Sequence, residues 1–449
     1  MKRGPAEGLA RCLRSVWGMS VSLIWMRAYG FLVACTLLGS LSLRAEGPVA
    51  SREKGWPQWR GPRRDGISVE TGLLKRWPEA GPSQVWRVDG LGRGWSSPII
   101  VDGLIYVTGD KDGEVFVQCL EADGRVRWSV SNGGAWTKNY AGSRSSCVYS
   151  EGLVYHMNAH GRVAAFDART GVERWSLASV LDAFGAKNIT WGMTDCLLVD
   201  GDRLFVAPVG TEGGVVALDK RDGRVLWRGE AMDGDRAAYS SLALVEMGSR
   251  KVLLGTTSHH GIGVDAESGK VLWKVPVRNN WGATCCAPVY EGGMVFYAAP
   301  DGAPGTAYRV RLEGTSATTE VVWRCDVDPL TGAGIVRNGV LYTNGCKKSL
   351  ALHALDWRTG KSRYEIQISS PTNQHATGAL LWAEDRLYGM FENGVVALLR
   401  PTRERFEVDG RFQLTQVTGS DAWAHPVLLD GRLYLRYHDS LWCYDVREN

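Results

Sequence analysis

The feature that most constrains this chain is a short unit that occurs four times. Ala165-Phe166-Asp167-Ala168-Arg169-Thr170-Gly171-Val172-Glu173-Arg174-Trp175 reads as the end of one strand, a tight turn, and a second strand closing on tryptophan. The Asp side chain can accept hydrogen bonds from amides two or three residues on, and the Gly supplies the positive φ of the turn. The Trp is large enough to fill a gap between neighbouring sheets. The unit recurs from Ala217 through Gly223 to Trp227, from Val264 through Gly269 to Trp273, and from Ala354 through Gly360 to Tyr364. Four such hairpins point to a repeat architecture.

A second pattern marks where each repeat begins: a small or polar pair, a short apolar strand, a Gly-containing turn, and another apolar strand. Ser96 to Val107 and Ser145 to Tyr155 show it, and it returns at Thr194, Ser240, Cys286, Gly334, Gly378 and His425. The turn is often Asp-Gly or similar, as at Asp102-Gly103 and Asn338-Gly339, the short-hairpin signal. With 55 Gly, 19 Trp and little helical periodicity after residue 50, the composition suits short strands joined by tight turns. Eight openings meet only seven closing aromatics: Trp128, Trp175, Trp227, Trp273, Trp323, Tyr364 and Phe406. The last repeat stops at Trp442 to Val446, one strand short, while Gln84-Val85-Trp86-Arg87-Val88 is a Trp-bearing strand ahead of the first opening. An N-terminal strand that completes the C-terminal sheet closes a ring and removes exposed edges. Four strands per repeat and a period in the forties predict an all-β, eight-bladed β-propeller over residues 82–449. A β/α barrel needs a helix in each repeat, and a β-helix has a shorter period. The seventh repeat is the weakest, because after Val395–Leu399 it lacks the turn Asp and Gly, and Pro401 interrupts the hairpin.

The net charge of +4 is concentrated at the start. Lys2, Arg3, Arg11, Arg14, Arg27 and Arg44 face one acid, Glu7, which leaves the rest of the chain near −1. No basic patch there suggests nucleic acid. Behind the basic opening, Phe31 to Leu43 is an apolar run that ends before Ala45, so residues 1–45 are expected to be a signal peptide and the protein exported, periplasmic or extracellular, without a transmembrane span. Leu32-Val33-Ala34-Cys35 offers the alternative of a lipid-anchored Cys35. Residues 46–81, rich in Gly, Pro and Arg, contain Trp56-Pro57-Gln58-Trp59-Arg60-Gly61-Pro62 and read as an irregular arm whose tryptophans lie against the main body. Eight cysteines follow residue 45; six stand singly in different repeats and are expected to be small buried strand residues.

The AxDxxTGxxxW-type unit resembles the tryptophan-docking repeat of the quinoprotein propellers, first recognised in alcohol dehydrogenases that bind pyrroloquinoline quinone (PQQ). The resemblance covers residues 82–449. The arm, with Asp65-Gly66, is similar to that of exported proteins described only as PQQ-like. The same repeat occurs in a non-enzymatic outer-membrane assembly lipoprotein. The resemblance therefore implies the fold and leaves two function classes open. One is a non-catalytic exported scaffold that binds a small-molecule, glycan or envelope-protein ligand. The other is a quinoprotein-type oxidoreductase that uses PQQ with Ca²⁺.

In such a ring, the residues entering each innermost strand surround a central funnel. They place Trp95, Arg144, Trp191, Asp195, Arg236, Trp281, Cys285, Cys286, His375, Trp423 and His425 there as a candidate ligand site, with Tyr140, Asn188, Asp235, Tyr239 and Asp421 nearby. Trp95, Trp191, Trp281 and Trp423 hold comparable positions in four blades. Trp with Arg and His suits a flat or sugar-like, anionic or polar ligand; alternatively the indoles plug the channel. Adjacent Cys285-Cys286 can form a strained, redox-labile disulfide, and such a pair lies against the quinone in the alcohol dehydrogenases. The alternative is two unpaired small residues, where other blades carry Ser-Ser. A quinone enzyme also needs a carboxylate base and oxygen ligands for Ca²⁺, and Asp195, Asp235, Asp421 and Asn188 are the available candidates. No catalytic residue or metal ligand is assigned. No Cys-x-x-Cys-His for a c-type haem is present. His259-His260, alternating on a strand, predict no zinc site.

Overall fold

The computed structural model describes residues 47–448 apart from 278, 302, 331, 333, 349, 369–376, 416, 418 and 420. The predicted signal peptide lies outside them. Among the described residues eight antiparallel sheets follow one another around a ring, seven of four strands and blade four with a fifth, the arm's Gly47–Pro48, paired to its inner strand, and neighbouring blades meet through their innermost strands. Blade one comprises Ile99–Val101, Leu104–Lys111, Glu114–Leu120 and Val126–Gly134. Blades two to seven repeat that order, opening at Val148, Leu198, Ala243, Val289, Ile335 and Gly378.

The eighth blade closes the ring as the sequence requires. Its inner strands are Val427–Leu429, Arg432–Tyr437 and Ser440–Asp445, and its outer strand is Ser83–Val88, with Trp86 opposite Cys443.

The tryptophan unit works by pairing a large ring with a small neighbour. Trp128, Trp175, Trp227, Trp273, Trp323 and Tyr364 stand across from Cys119, Ala165, Ala217, Gly263, Ala307 and Ala354, each just before a β-bulge. Each such ring then leans toward the next blade. Trp128 Nε1 donates to Ala168 O at 3.0 Å, Trp175 Nε1 to Lys220 O at 2.9 Å, and Trp323 Nε1 to Trp357 O at 2.8 Å. The turn Gly must be Gly for two reasons. At Gly171 φ is +74°, and a Cβ would stand 2.8 Å from the Trp128 ring. The turn Asp fixes the hairpin: Asp167 Oδ1 accepts from Arg169 N, Thr170 N and Thr170 Oγ1 at 2.8–3.1 Å. Its carboxyl is held down to about 2, first by the Arg174 guanidinium.

Blade seven departs from expectation. The place of its closing ring is taken by Gly410, opposite Leu398, and not by Phe406. Trp77 from the arm fills the space, its Cβ 2.5 Å from where a Gly410 side chain would begin. Trp77 lies among Tyr388 and Phe412 at 5.8 and 5.6 Å between ring centres.

The arm crosses one end of the ring. Its backbone bonds to Leu244 of blade four, Ile100 of blade one, Tyr149 of blade two, and Trp382 of blade seven. Two buried guanidiniums fasten it. Arg60 Nη2 donates to Gly334 O at 3.0 Å, and Arg64 donates to Cys196 O and Leu242 O at 3.0 and 2.7 Å and to Leu197 O. These carbonyls belong to residues entering the inner strands of blades six, three and four. A ladder cannot satisfy a carbonyl that points at the axis, so the arginines do.

Candidate functional site

At the end of the ring opposite the arm's backbone, the loops entering the inner strands surround a cavity of about 760 Å³. Trp95, Tyr140, Arg144, Trp191, Tyr239, Trp281, Cys285, Trp423 and His425 line it. The four expected tryptophans therefore border open space and do not plug the channel.

The aromatic rings make a continuous arc over five blades. Trp95 and Trp423 are 5.0 Å apart, Trp423 and Tyr140 5.5 Å, Tyr140 and Trp191 6.3 Å, and Trp191 and Tyr239 5.3 Å. Tyr140 sits at its middle with φ +57° and is 53% exposed. A left-handed tyrosine costs about 1 kcal/mol or more, so the loop holds this ring in the funnel against its backbone preference. Trp281, 66% exposed, belongs to the rim.

The other wall is polar and comes from a different set of loops, those between the second and third strands of blades five to seven. Asp301, Cys346, Lys347 and Glu392 line it. Asp301 is ion-paired to Lys347. Glu392 Oε1 accepts from Trp423 Nε1 at 2.6 Å. Asp421 accepts from His438 Nε2 and Tyr437 OH, both at 3.0 Å. Sequence reasoning missed Asp301, Lys347 and Glu392, because only the loops entering the inner strands were compared across repeats.

Arg144 borders the cavity but is committed to its own loop. It donates to Gly142 O at 2.6 Å and to Tyr140 O, and its guanidinium lies over Trp95 and Trp136 at 5.3 and 5.6 Å. Burial brings it down to about 10. His425 packs edge-on against Trp59 at 5.1 Å, and burial keeps it well below the usual histidine range, so the imidazole is neutral.

Two expected residues, Asp195 and Cys286, turn away from the funnel, and Arg236 is not among its lining residues. Asp195 lies between the lining residues Thr194 and Cys196, so alternation along an extended chain sends it to the opposite side. There its carboxylate accepts from Ala207 N at 3.3 Å beside Arg64, and burial pushes it up to about 7. Cys286 alternates with Cys285 in the same way, its Sγ 3.1 Å from Pro329 O. Both thiols are free, and burial pushes Cys285 up to about 12. The backbone of Arg236 is bonded to Ser258, and its guanidinium does not line the cavity but lies near enough to Tyr239 to act on its hydroxyl. His375 lies outside the described residues.

Asp235 is also spoken for: its oxygens take the Nδ1 atoms of His259 and His260 at 3.0 and 2.7 Å. Among the described residues no group of three or more His, Cys, Asp or Glu is placed to hold a metal ion. The aromatic arc suits the flat ring of a quinone. The three cavity carboxylates, each engaged by a donor or cation and spread over separate blades, do not fit the oxygen shell of Ca²⁺.

A funnel at the axis of eight four-stranded blades defines a β-propeller of the PQQ-like kind. The chain belongs to the PQQ-like repeat family described as outer membrane protein assembly factor BamB, whose profile matches residues 68–197, 191–302 and 265–448. It is 27% identical over 249 residues to the outer membrane protein assembly factor BamB of Burkholderia pseudomallei, covering 54% of this chain and 58% of that one. It is 29% identical over 191 residues to a polyvinylalcohol dehydrogenase of Sphingopyxis sp., covering 41% of this chain and 24% of that one. The chain thus spans less than two thirds of the first relative and about a quarter of the second. Among solved structures, BamB from Moraxella catarrhalis superimposes with a TM-score of 0.56 at 13% identity, over 81% of this chain and 99% of that one. A europium-containing methanol dehydrogenase gives 0.51 at 12% identity, over 86% and 89%. At those identities the likeness is one of fold.

Proposed function

We propose that this protein is an exported, non-catalytic propeller that captures a small polar ring, a pyranose or a flat heterocycle, in its axial funnel. The observation that carries the reading is the arc of Trp95, Trp423, Tyr140, Trp191 and Tyr239 beside a 760 Å³ cavity. Aromatic faces stack on flat rings and sugar faces, and the opposite polar wall supplies directional bonds. Because Arg144 is spent on loop carbonyls and Lys347 on Asp301, the funnel favours hydrogen-bonding neutral ligands over strongly anionic ones. Export rests on the basic and apolar N-terminal segment and on a family described by outer-membrane assembly.

The relatives that are dehydrogenases favour a second reading, a PQQ-dependent oxidoreductase. It has the flat-ring wall in its favour and the engaged carboxylates against it. Titration of the purified protein with tri-N-acetylchitotriose, maltotriose and quinoline, followed by tryptophan fluorescence, tests the first reading. At least one ligand should quench saturably, and Trp191→Ala should remove that response without changing the melting temperature by more than a few degrees. Identical titration curves for the parent and Trp191→Ala would refute the funnel as the site.

A further inference from the structure

We infer that the arm is part of the binding site: Trp59 forms the floor of the funnel, so the cavity is blind and takes a ligand end-on from the rim. The inference rests on the ring-binding reading above and adds which part of a ligand can enter. Trp56, Pro57, Gln58, Arg60 and Gly61 are all buried, whereas Trp59 between them is only partly so. Its exposed surface is explained by the cavity, since Trp59 is the one arm residue among the described lining. The ring is held by His425 from blade eight at 5.1 Å, by its own neighbour Arg60, whose guanidinium lies 5.6 Å from the ring centre, and by packing against the apolar cluster of blades five and six that includes Val289 and Val336.

Beneath that floor lie two buried guanidiniums of the arm. Arg60 reaches the Gly334 carbonyl and Arg64 those of Cys196, Leu197 and Leu242, so side chains of the arm bridge to blades on several sides. A polymer cannot thread past two buried guanidiniums whose bonds hold the arm to the ring. A cavity of this size accommodates roughly one to three rings. The ligand class is therefore a small molecule or the terminal rings of an oligosaccharide, with its substituents directed toward the rim at Trp281, and not the interior of a chain.

The test uses the full chain and two probes, quinoline and hexa-N-acetylchitohexaose, soaked into crystals and titrated in solution. The account expects a ring in contact with Trp59, and for the hexamer one to three terminal sugars inside with the rest outside the rim. It expects Trp59→Ala to weaken probe binding roughly tenfold, as one stacking contact implies, and Trp59→Phe to retain most of it. A hexamer whose middle rings occupy the funnel and whose end emerges on the arm side overturns the inference, as does a ring bound clear of Trp59 or unaltered affinity in Trp59→Ala. If neither probe enters the funnel, the ring-binding reading itself fails and the inference falls with it. Because the crystal soak uses the unaltered protein, it remains decisive should Trp59→Ala not fold.

Discussion

Replacing Arg64 tests whether the arm is a structural member of the ring. The guanidinium donates to Gln58 Oε1 at 3.0 Å, to the carbonyls of Cys196 and Leu242 at 3.0 and 2.7 Å, and to that of Leu197. Bonds that involve a charged group contribute about 1.5–3 kcal/mol each, a gross sum near 10 kcal/mol for four. Burying the guanidinium costs several kcal/mol in return, and that cost is visible in a pKa driven below the usual arginine value by burial. The net loss in Arg64→Ala should be about 3–5 kcal/mol, with the exposed carbonyls only partly repaired by water. For a protein of this size that corresponds to a fall in Tm of roughly 4–6 °C. Arg64→Lys should restore little, because an ammonium on a flexible stem lacks the fixed fork of donors that reaches the carbonyls of two blades and Gln58 at once. Thermal unfolding followed by circular dichroism reads the loss, and limited proteolysis locates it, since a loosened arm should be cut among residues 50–66 first. A variant that melts within 1 °C of the parent, with its arm still protected, would refute the reasoning.

Two further outcomes follow from the same structure. Deleting residues 83–88 leaves Ser440–Asp445 an open edge and removes the half-buried Trp86, whose Nε1 donates to Ala122 O at 2.9 Å; an unpaired edge strand is a template for association, so the product should aggregate or melt well below the parent, and unchanged melting would contradict ring closure. Asp110, pushed up to about 7 by burial, is raised well above its unfolded value near 4. Its contribution to stability is therefore full below pH 4 and lost as pH rises through 7. Asp110→Asn, which keeps an acceptor for Trp136 N at 3.3 Å, should raise Tm at pH 8 more than at pH 5. Equal shifts at both pH values would count against a buried titrating carboxylate.

The blades were legible because the constraint is local and repeated. A small residue opposite the docking ring, an Asp that caps its own turn and a Gly beneath the previous blade's Trp recur every forty-odd residues, and each is visible in one dimension. Closure was legible because the unfinished last repeat and the unattached Trp86 strand complement each other. The funnel rim was legible at Trp95, Trp191, Trp281 and Trp423, which recur at one position.

What escaped depended on contacts between distant segments. Trp77 substitutes for the missing ring of blade seven across more than 300 residues of chain, and nothing near Gly410 announces it; Phe406 was the nearest aromatic and the wrong choice. Trp59 reaches the funnel from an arm without periodicity. Asp195 and Cys286 were misplaced by one step of strand alternation, which sends a neighbour in and the expected residue out. Charge was the subtler miss. Arg144 reads as a free cation in the sequence, and only its bonds to Gly142 and Tyr140 show that it is already used.

The most direct measurement is reconstitution of the full chain with PQQ and Ca²⁺, then gel filtration, an absorbance spectrum, and an assay of dye reduction with primary alcohols. With the cavity carboxylates held by Lys347, Trp423 and His438, the account predicts no quinone absorbance co-eluting in stoichiometric amount and no alcohol-dependent reduction. Stoichiometric quinone, retained only when Ca²⁺ is present and reduced by alcohol, would contradict the ligand-capture reading and make the chain a quinoprotein dehydrogenase.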